Sequence, residues 1–337
     1  MKIAVDAMGA DFAPDEIVLG AIAAAREYRC DIIIVGDEPR IREILEKNGA
    51  GNLPITVHHA SEVIEMTEQP SIAIRKKKDA SIVVATRLVK EGKADVVVSA
   101  GSTGAAVAAA LLGLGRIPGI ERPTIATPMP NLTGTTVLLD SGANVDSKPK
   151  HLLQNAVMGA VYAEKILGIL NPRVGLLNIG EEENKGNELV LDTYPLLKQA
   201  TLNFIGNVEG RDISRGTVDV VVCDGFVGNV VLKFGEGLAT ALMTLIKREI
   251  AAQNWFLKII SALVLRTALR GMKKKIDYAE YGGAPLLGVD GGFIISHGSS
   301  KAKAIKNSIR VARDFAENRV VEKIRQSFSK DGEIYNG

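Results

Sequence analysis

Short apolar runs without alternation recur along the chain, and each ends in a polar, glycine-bearing loop. Lys2–Val5, Asp31–Gly36, Val96–Val98, Val137–Asp140, Val174–Ile179, Val220–Cys223 and Phe293–Ser296 are the clearest of them, with Ile55–His59 and Asn203–Gly206 shorter. A strand that alternates apolar and polar residues has one wet face, whereas one that does not is covered on both. Between the runs stand longer patterns of helical period. One is entered at Pro14, one ends near Lys47, one rich in Ala and Leu ends near Gly115, and others span 149–167 and 230–252. A last one is opened by His297-Gly298-Ser299-Ser300, with serine as its capping chemistry. Strands alternating with helices predict an α/β fold, an α/β/α sandwich on a mostly parallel sheet. One large domain over 1–337 is expected, with a protruding helical segment near 254–275.

One strand–turn–helix unit occurs twice. Residues 218–231 read VDVVVCDGFVGNVV, and residues 94–107 read ADVVVSAGSTGAAV. Laying Asp95 on Asp219 matches seven of the thirteen residues up to Val107, both turn glycines included. Glycines three apart let the backbone turn sharply and pass close to a ligand. The helix start beyond them aims free N–H groups at whatever lies above the strand ends, which suits an anion, above all phosphate. The two turns are expected to face one cleft; the alternative is that buried strands with glycine turns simply recur.

Composition narrows the class. At 46% hydrophobic and 24% charged, the chain has the make-up of a soluble globular protein with ample material for a core. A formal net charge of +2 provides no whole-protein field towards nucleic acid, so none is expected as a partner. Cys30 and Cys223 sit far apart in apolar settings with no CxxC, which points to a reducing compartment. The N-terminus reads as a strand rather than a leader. No uncharged stretch reaches the ~18 residues that a membrane span needs.

The loops 6–14, 140–146 and 180–188 all follow strands, where an open α/β sheet holds its ligands. They carry glycines, amides and carboxylates, and the 180–188 loop adds a single lysine, Lys185. The kit for covalent catalysis is missing. There is no GxSxG elbow, and Cys223 stands before its turn rather than on it, so it reads as a buried structural thiol. There is no GxxxxGK[ST], and the first strand–helix turn lacks GxGxxG, which argues against a nicotinamide cofactor. Asp6, Asp11, Asp140, Asp146 and Asp224 are candidate magnesium ligands, but no spacing singles them out, and no metal or cofactor is expected. A site with anion donors and no protein nucleophile suits a reaction in which phosphate itself attacks or is held.

Two charged or apolar stretches stand apart. Arg75, Lys76, Lys77 and Lys78 form a basic run, and Lys273, Lys274 and Lys275 another; each is either a solvated face or a patch that steers an acidic partner. Between 254 and 269 crowd Trp255, Phe256, Ile260, Leu263 and Val264, with Lys258 and Arg266 among them. That mixture fits a core helix, a homodimer contact or a helix lying on a membrane surface. His58 and His59 are adjacent and read as structural or solvated.

The motifs DAMGAD (6–11), SAGSTGA (99–105), SGANVD (141–146), KGNE (185–188), DGFVGN (224–229), YGGAPLLG (281–288) and HGSS (297–300) together resemble the bacterial phosphate acyltransferases of phospholipid synthesis. The order holds from the first strand to the last helix. The chain departs from the family pattern at Ala10, Phe12 and Ser102, where the family has glycine, histidine and asparagine. The resemblance implies a fold like phosphotransacetylases and isopropylmalate dehydrogenases, built as a homodimer. It implies transfer of a fatty acyl group from acyl carrier protein to inorganic phosphate by direct attack, with no acyl-enzyme. It implies Lys185 and Asn229 as the catalytic pair. Gly101, Ser102, Thr103, Gly104, Asp224, Gly225, Gly228 and His297 become the phosphate or oxyanion site. The basic runs become the carrier-protein dock, and the 254–269 stretch a wall for the acyl chain or a contact with the membrane or a downstream membrane acyltransferase. The enzyme is then expected in the cytoplasm, peripheral at the inner face of the membrane. Rival readings are the same transfer from acyl-CoA, a metal-dependent hydroxy-acid dehydrogenase, and a membrane-associated binding protein for fatty acid or phosphate.

Overall fold

The computed structural model describes residues 1–252, 271 and 278–329. In chain order the first half holds β1 (Lys2–Asp6), α1 (Asp15–Tyr28), β2 (Asp31–Gly36), α2 (Glu38–Lys47), β3 (Ile55–His59), α3 (Pro70–Lys76), α4 (Ser81–Lys90), β4 (Val96–Ser99) and α5 (Thr103–Gly113). Two short strands, β5 (Thr124–Ile125) and β6 (Thr127–Pro130), lead to β7 (Thr135–Leu139), α6 (Pro149–Ile166), β8 (Val174–Leu177), α7 (Glu188–Gln199), β9 (Phe204–Val208), α8 (Gly210–Arg215) and β10 (Val220–Val222). The long α9 (Gly225–Ala252) follows, then α10 (Tyr278–Tyr281), β11 (Ala284–Leu287), β12 (Gly292–Ile295), α11 (Ala302–Glu317) and α12 (Val320–Ser327).

The strands form two sheets rather than one. The first has the order β3-β2-β1-β4-β12-β11-β5 and the second β6-β7-β10-β8-β9. The central pairings of each, β1 with β2 and β4, β10 with β7 and β8, are parallel; antiparallel pairs occur at β5–β11–β12 and at β6–β7. Only Ala126 separates β5 from β6, so the chain steps from one sheet into the other without a loop.

The absence of alternation in the runs has the expected cause. Ile3, Val5, Val96 and Val98 enter one apolar cluster, while Ala4 and Val97 between them enter another with α4 and α5. In the second sheet Val220 and Val222 join the same large cluster as Ile3 and Val5, and Val221 faces a third. One core therefore takes residues from both sheets.

Two sequence readings of element ends are corrected. α9 begins at Gly225 and not near Val230, so Asn229 lies inside the helix rather than at its cap. The last long helix, α11, has no serine cap; the Ala302 amide donates to Glu16 Oε2 of α1 at 2.7 Å. By length and composition α9 could cross a membrane, yet Lys233 and Glu236 interrupt it, so the expectation that no uncharged stretch is long enough stands. The 254–275 segment, with Trp255, Phe256, Ile260, Leu263, Val264, Lys273 and Lys274, lies outside the described residues.

Candidate active site

The second repeat unit packs against the loop that follows β7. Asp140 is fully buried there and gathers five donors. Its Oδ1 accepts from the amides of Ile125, Gly142 and Ala143, and its Oδ2 from the Asn144 amide and side chain, at 2.8–3.2 Å. Burial pushes this carboxyl up from the ordinary aspartate value, with the Ala143, Asn144, Gly142 and Ile125 donors pulling the other way. The loop so ordered explains both turn glycines. A Cβ on Gly228 would lie 1.9 Å from the Asp140 carbonyl oxygen, and one on Gly225 would lie 2.5 Å from that of Asn144. The close approach that glycine permits is thus to the protein's own backbone, not to a ligand. The free amides of α9 are also taken, because Asp224 Oδ1 accepts from Phe226 and Val227 at 2.9 Å each. Asp224 is therefore the helix cap, and an anion would meet its carboxylate. Asn229 Nδ2 donates to the Ser141 carbonyl at 3.2 Å. That nitrogen carries a second hydrogen, for which there is no acceptor among the described residues.

The first repeat unit is built on the same plan with different contents. Asp6 ends β1 as Asp140 follows β7, and it too is buried. Ser99 Oγ donates to Asp6 Oδ2 at 2.7 Å and accepts from the Gly101 amide at 3.2 Å. Burial raises the Asp6 carboxyl from 3.8 to about 6, against the pull of Ser81, Ser99 and the Met8 amide. Above this network α5 starts without any side-chain cap on Ser102. Among the described residues the first-turn amides of Thr103, Gly104 and Ala105 meet no acceptor; the next, Ala106, reaches the Ser102 carbonyl at 2.9 Å. Four positions chosen from sequence, Gly101 to Gly104, thus stay together at an open helix start. Gly104 packs on Pro70 at the head of α3, which carries the basic run. Arg75, Lys76 and Lys78 are exposed there, but Lys77 is committed to Glu68 at 2.6 Å and to the Val63 carbonyl. His297 is exposed beside the first loop: its Nδ1 meets Ser299 Oγ at 2.7 Å, and the next residue's carbonyl accepts from the Asp11 amide.

Lys185 sits on the loop between β8 and α7. Asn178 Nδ2 holds its carbonyl at 2.9 Å, and Gly186, at φ 109°, turns the chain into α7, which Asn187 caps through the Val190 amide. Glu183, a candidate partner for Lys185, pairs instead with Lys198 at 2.9 Å and with the Tyr194 hydroxyl. Among the described residues the exposed Lys185 ammonium forms no ion pair. It lines a polar cavity of about 570 Å³ with Glu181, Glu182, Glu209 and Arg211. Ile179 joins that cavity to a second one of about 440 Å³, which the 177–190 segment shares with Cys223, Asp224 and Val227.

The lysine-bearing loop and the second unit therefore meet at one cavity. Lys185 itself faces the neighbouring chamber, and Asn229 faces the 140–144 loop. The first unit meets that loop where Ala143 packs on the cluster holding Ala105 and Ala106, and it shares the large core with the second unit through Val96, Val98, Val220 and Val222. Arg211 and Glu209, an ion pair at the mouth of the polar cavity, were missed. They also follow a strand, β9, so the rule that found Lys185 extends to them. The acids that gather, Glu181, Glu209 and Asp212, are none of the five aspartates weighed from sequence. Cys223 is buried and its thiol is pushed well up by burial, which suits packing and not attack.

The family of fatty acid synthesis proteins matches over residues 1–323. The chain belongs to that family. A phosphate acyltransferase of Pelotomaculum thermopropionicum is 62% identical over 327 residues, which cover 97% of this chain and 95% of the relative. One from Heliobacterium modesticaldum is 61% identical, covering 97% of each. A phosphotransacetylase structure from Streptococcus pyogenes superposes with a TM-score of 0.64 at 18% identity, over 96% of this chain and 94% of that one. That last likeness is one of fold, and it is the fold expected from the motifs.

Proposed function

We propose that this chain transfers a long-chain fatty acyl group from acyl carrier protein to inorganic phosphate, giving acyl phosphate for phospholipid synthesis. The observation that carries the reaction class is the 62% identity to a phosphate acyltransferase across nearly the whole chain. In the reaction a phosphate oxygen attacks the thioester carbonyl carbon. The O–C bond forms, the C–S bond breaks, and the departing thiolate takes up the proton that phosphate gives up. No protein nucleophile is needed. The chain's task is to hold the anion and to offset charge on the carbonyl oxygen, for which one donor in known oxyanion holes is worth roughly 2.7–4 kcal/mol.

Lys185 is the proposed cation for that charge, supported by its ammonium at a strand-end loop, which has no ion-pair partner among the described residues. Asn229 is proposed to hold the 140–144 loop with one amide hydrogen and to offer the other to the reacting oxygen. The open amides of Thr103 to Ala105 are the proposed phosphate cradle, with Ser102 at its edge. Asp224, Gly225 and Gly228 act as scaffold in this reading. Arg75, Lys76 and Lys78 are the proposed dock for the acidic carrier protein, beside that cradle through the α3–α5 contact.

A homodimer is part of the reading. Phe226, Val230, Phe234, Leu238 and Leu242 recur every fourth residue on α9, and all are exposed in the single chain, Phe234 by 69%. A stripe of that kind asks for cover, and a second copy of α9 is the proposed one. The enzyme is proposed to work in the cytoplasm, peripheral at the membrane where acyl phosphate is consumed by acyl transfer.

The deciding experiment is phosphate-dependent thiol release from a long-chain acyl carrier protein, run beside the matching acyl-CoA. Turnover with the carrier protein supports the proposal. Turnover with acyl-CoA alone would move the donor to coenzyme A, and turnover with neither would overturn the transfer reading.

A further inference from the structure

The 440 Å³ cavity has walls that a phosphate would not choose. Leu152, Leu177, Leu189, Val190 and Val227 supply most of its surface. Its polar side chains are already engaged. Asn178 donates to the Lys185 carbonyl and accepts from the Ile179 amide. Asn187 accepts from Val190, and Asp224, the one formal charge in the wall, has Oδ1 on two amides of α9. The Cys223 thiol is held neutral by burial. What the cavity offers a guest is therefore apolar surface, in a volume within the ordinary range of small-molecule sites. Ile179 lines both it and the polar chamber that holds Lys185 and Arg211. An apolar hollow beside a polar chamber of mixed charge, with Lys185 and Arg211 facing Glu181, Glu182 and Glu209, fits a molecule with an aliphatic tail and a polar head.

We infer that this cavity is the acyl-chain pocket, and that Val190 and Val227 set the chain length the enzyme accepts. The inference rests on the acyl-transfer reading and names where the chain lies within it. The chain enters past Ile179, so the carbonyl stays near the Lys185 loop and the tail runs between α7 and the start of α9.

The test is the ratio of kcat/KM for a hexadecanoyl donor to that for a butyryl donor, measured in two variants. Val227→Phe narrows the wall at a partly exposed position, and Val190→Ala widens it. Each methylene shut out of an apolar site costs roughly fourfold in binding, so Val227→Phe is expected to lower the ratio by about tenfold or more. Val190→Ala is expected to shift preference from hexadecanoyl towards octadecanoyl donors. A general loss of folding lowers all donors alike and leaves the ratios where they were. Ratios unchanged in both variants of an active enzyme would overturn the pocket. No phosphate-dependent turnover by the unaltered protein at any chain length would overturn the reading beneath it, and the pocket with it.

Discussion

The two repeat units share a strand, a pair of glycines and a buried aspartate on the neighbouring strand, yet they end differently. In the second unit Asp224 stands where the first has Ala100, and it closes the helix start by capping it. Both glycines of that unit lie against backbone of the 140–144 loop. In the first unit no side chain caps α5, and a Cβ on Gly101 would meet no backbone atom closer than 3.8 Å. One turn is closed by the protein's own backbone, whereas the other keeps its amides open, with only the Pro70 side chain against its second glycine. A duplicated motif thus marks two places where an anion could be held, and the residue beside the first glycine decides which of them keeps its amides free.

The contrast breaks most directly at the glycines. Gly228→Ala puts a methyl group 1.9 Å from the Asp140 carbonyl oxygen, and a loss of about 3 kcal/mol or outright misfolding is expected in urea denaturation. Gly101→Ala should stay within about 1 kcal/mol by the same measurement and should raise the KM for phosphate instead. Equal losses at the two sites would end the distinction between a filled and an open turn.

The buried aspartates give the next largest effect. Asp6 binds its proton up to about pH 6 in the folded chain, against 3.8 ordinarily. The folded state therefore holds more proton than the unfolded chain between those values, and stability falls as pH rises through that window. The full difference is about 3 kcal/mol. Asp6→Asn should flatten the curve between pH 4 and 6 in thermal melts across that range; an unchanged slope would mean that Asp6 is ionised when folded.

A smaller effect is expected where the second unit meets the Lys185 loop. Lys185→Ala should lower kcat/KM about tenfold or more, near 1.4 kcal/mol in the transition state, with melting unchanged. A wild-type rate would remove Lys185 from the mechanism. Asp224→Ala should cost about 1 kcal/mol of stability as an ordinary lost cap, and it should tighten phosphate binding if the freed amides then accept the anion. Weaker phosphate binding by a folded Asp224→Ala protein would assign this turn, too, to the ligand.

Much of the frame was legible because burial writes itself into composition. A strand covered on both faces must be apolar at nearly every position, so β1, β4 and β10 were read to within a residue. The loops that bear chemistry were legible for a related reason, since polar residues after such a strand have nowhere to go but the sheet's edge. The motifs then named the reaction class ahead of any geometry. What sequence could not carry was partnership at a distance. Asp224 looks the same as ligand or as cap until its amides are seen, and Gly228 looks the same whether it nears phosphate or the Asp140 carbonyl. From the residues alone, Lys185 among four carboxylates is equally a surface ion pair or a site cation, and only the fold gives Glu183 to Lys198. The break into two sheets across Ala126, and the apolar cavity between α7 and α9, also belong to the tertiary structure alone. Periodicity reports whether a residue is covered, whereas the fold decides by what.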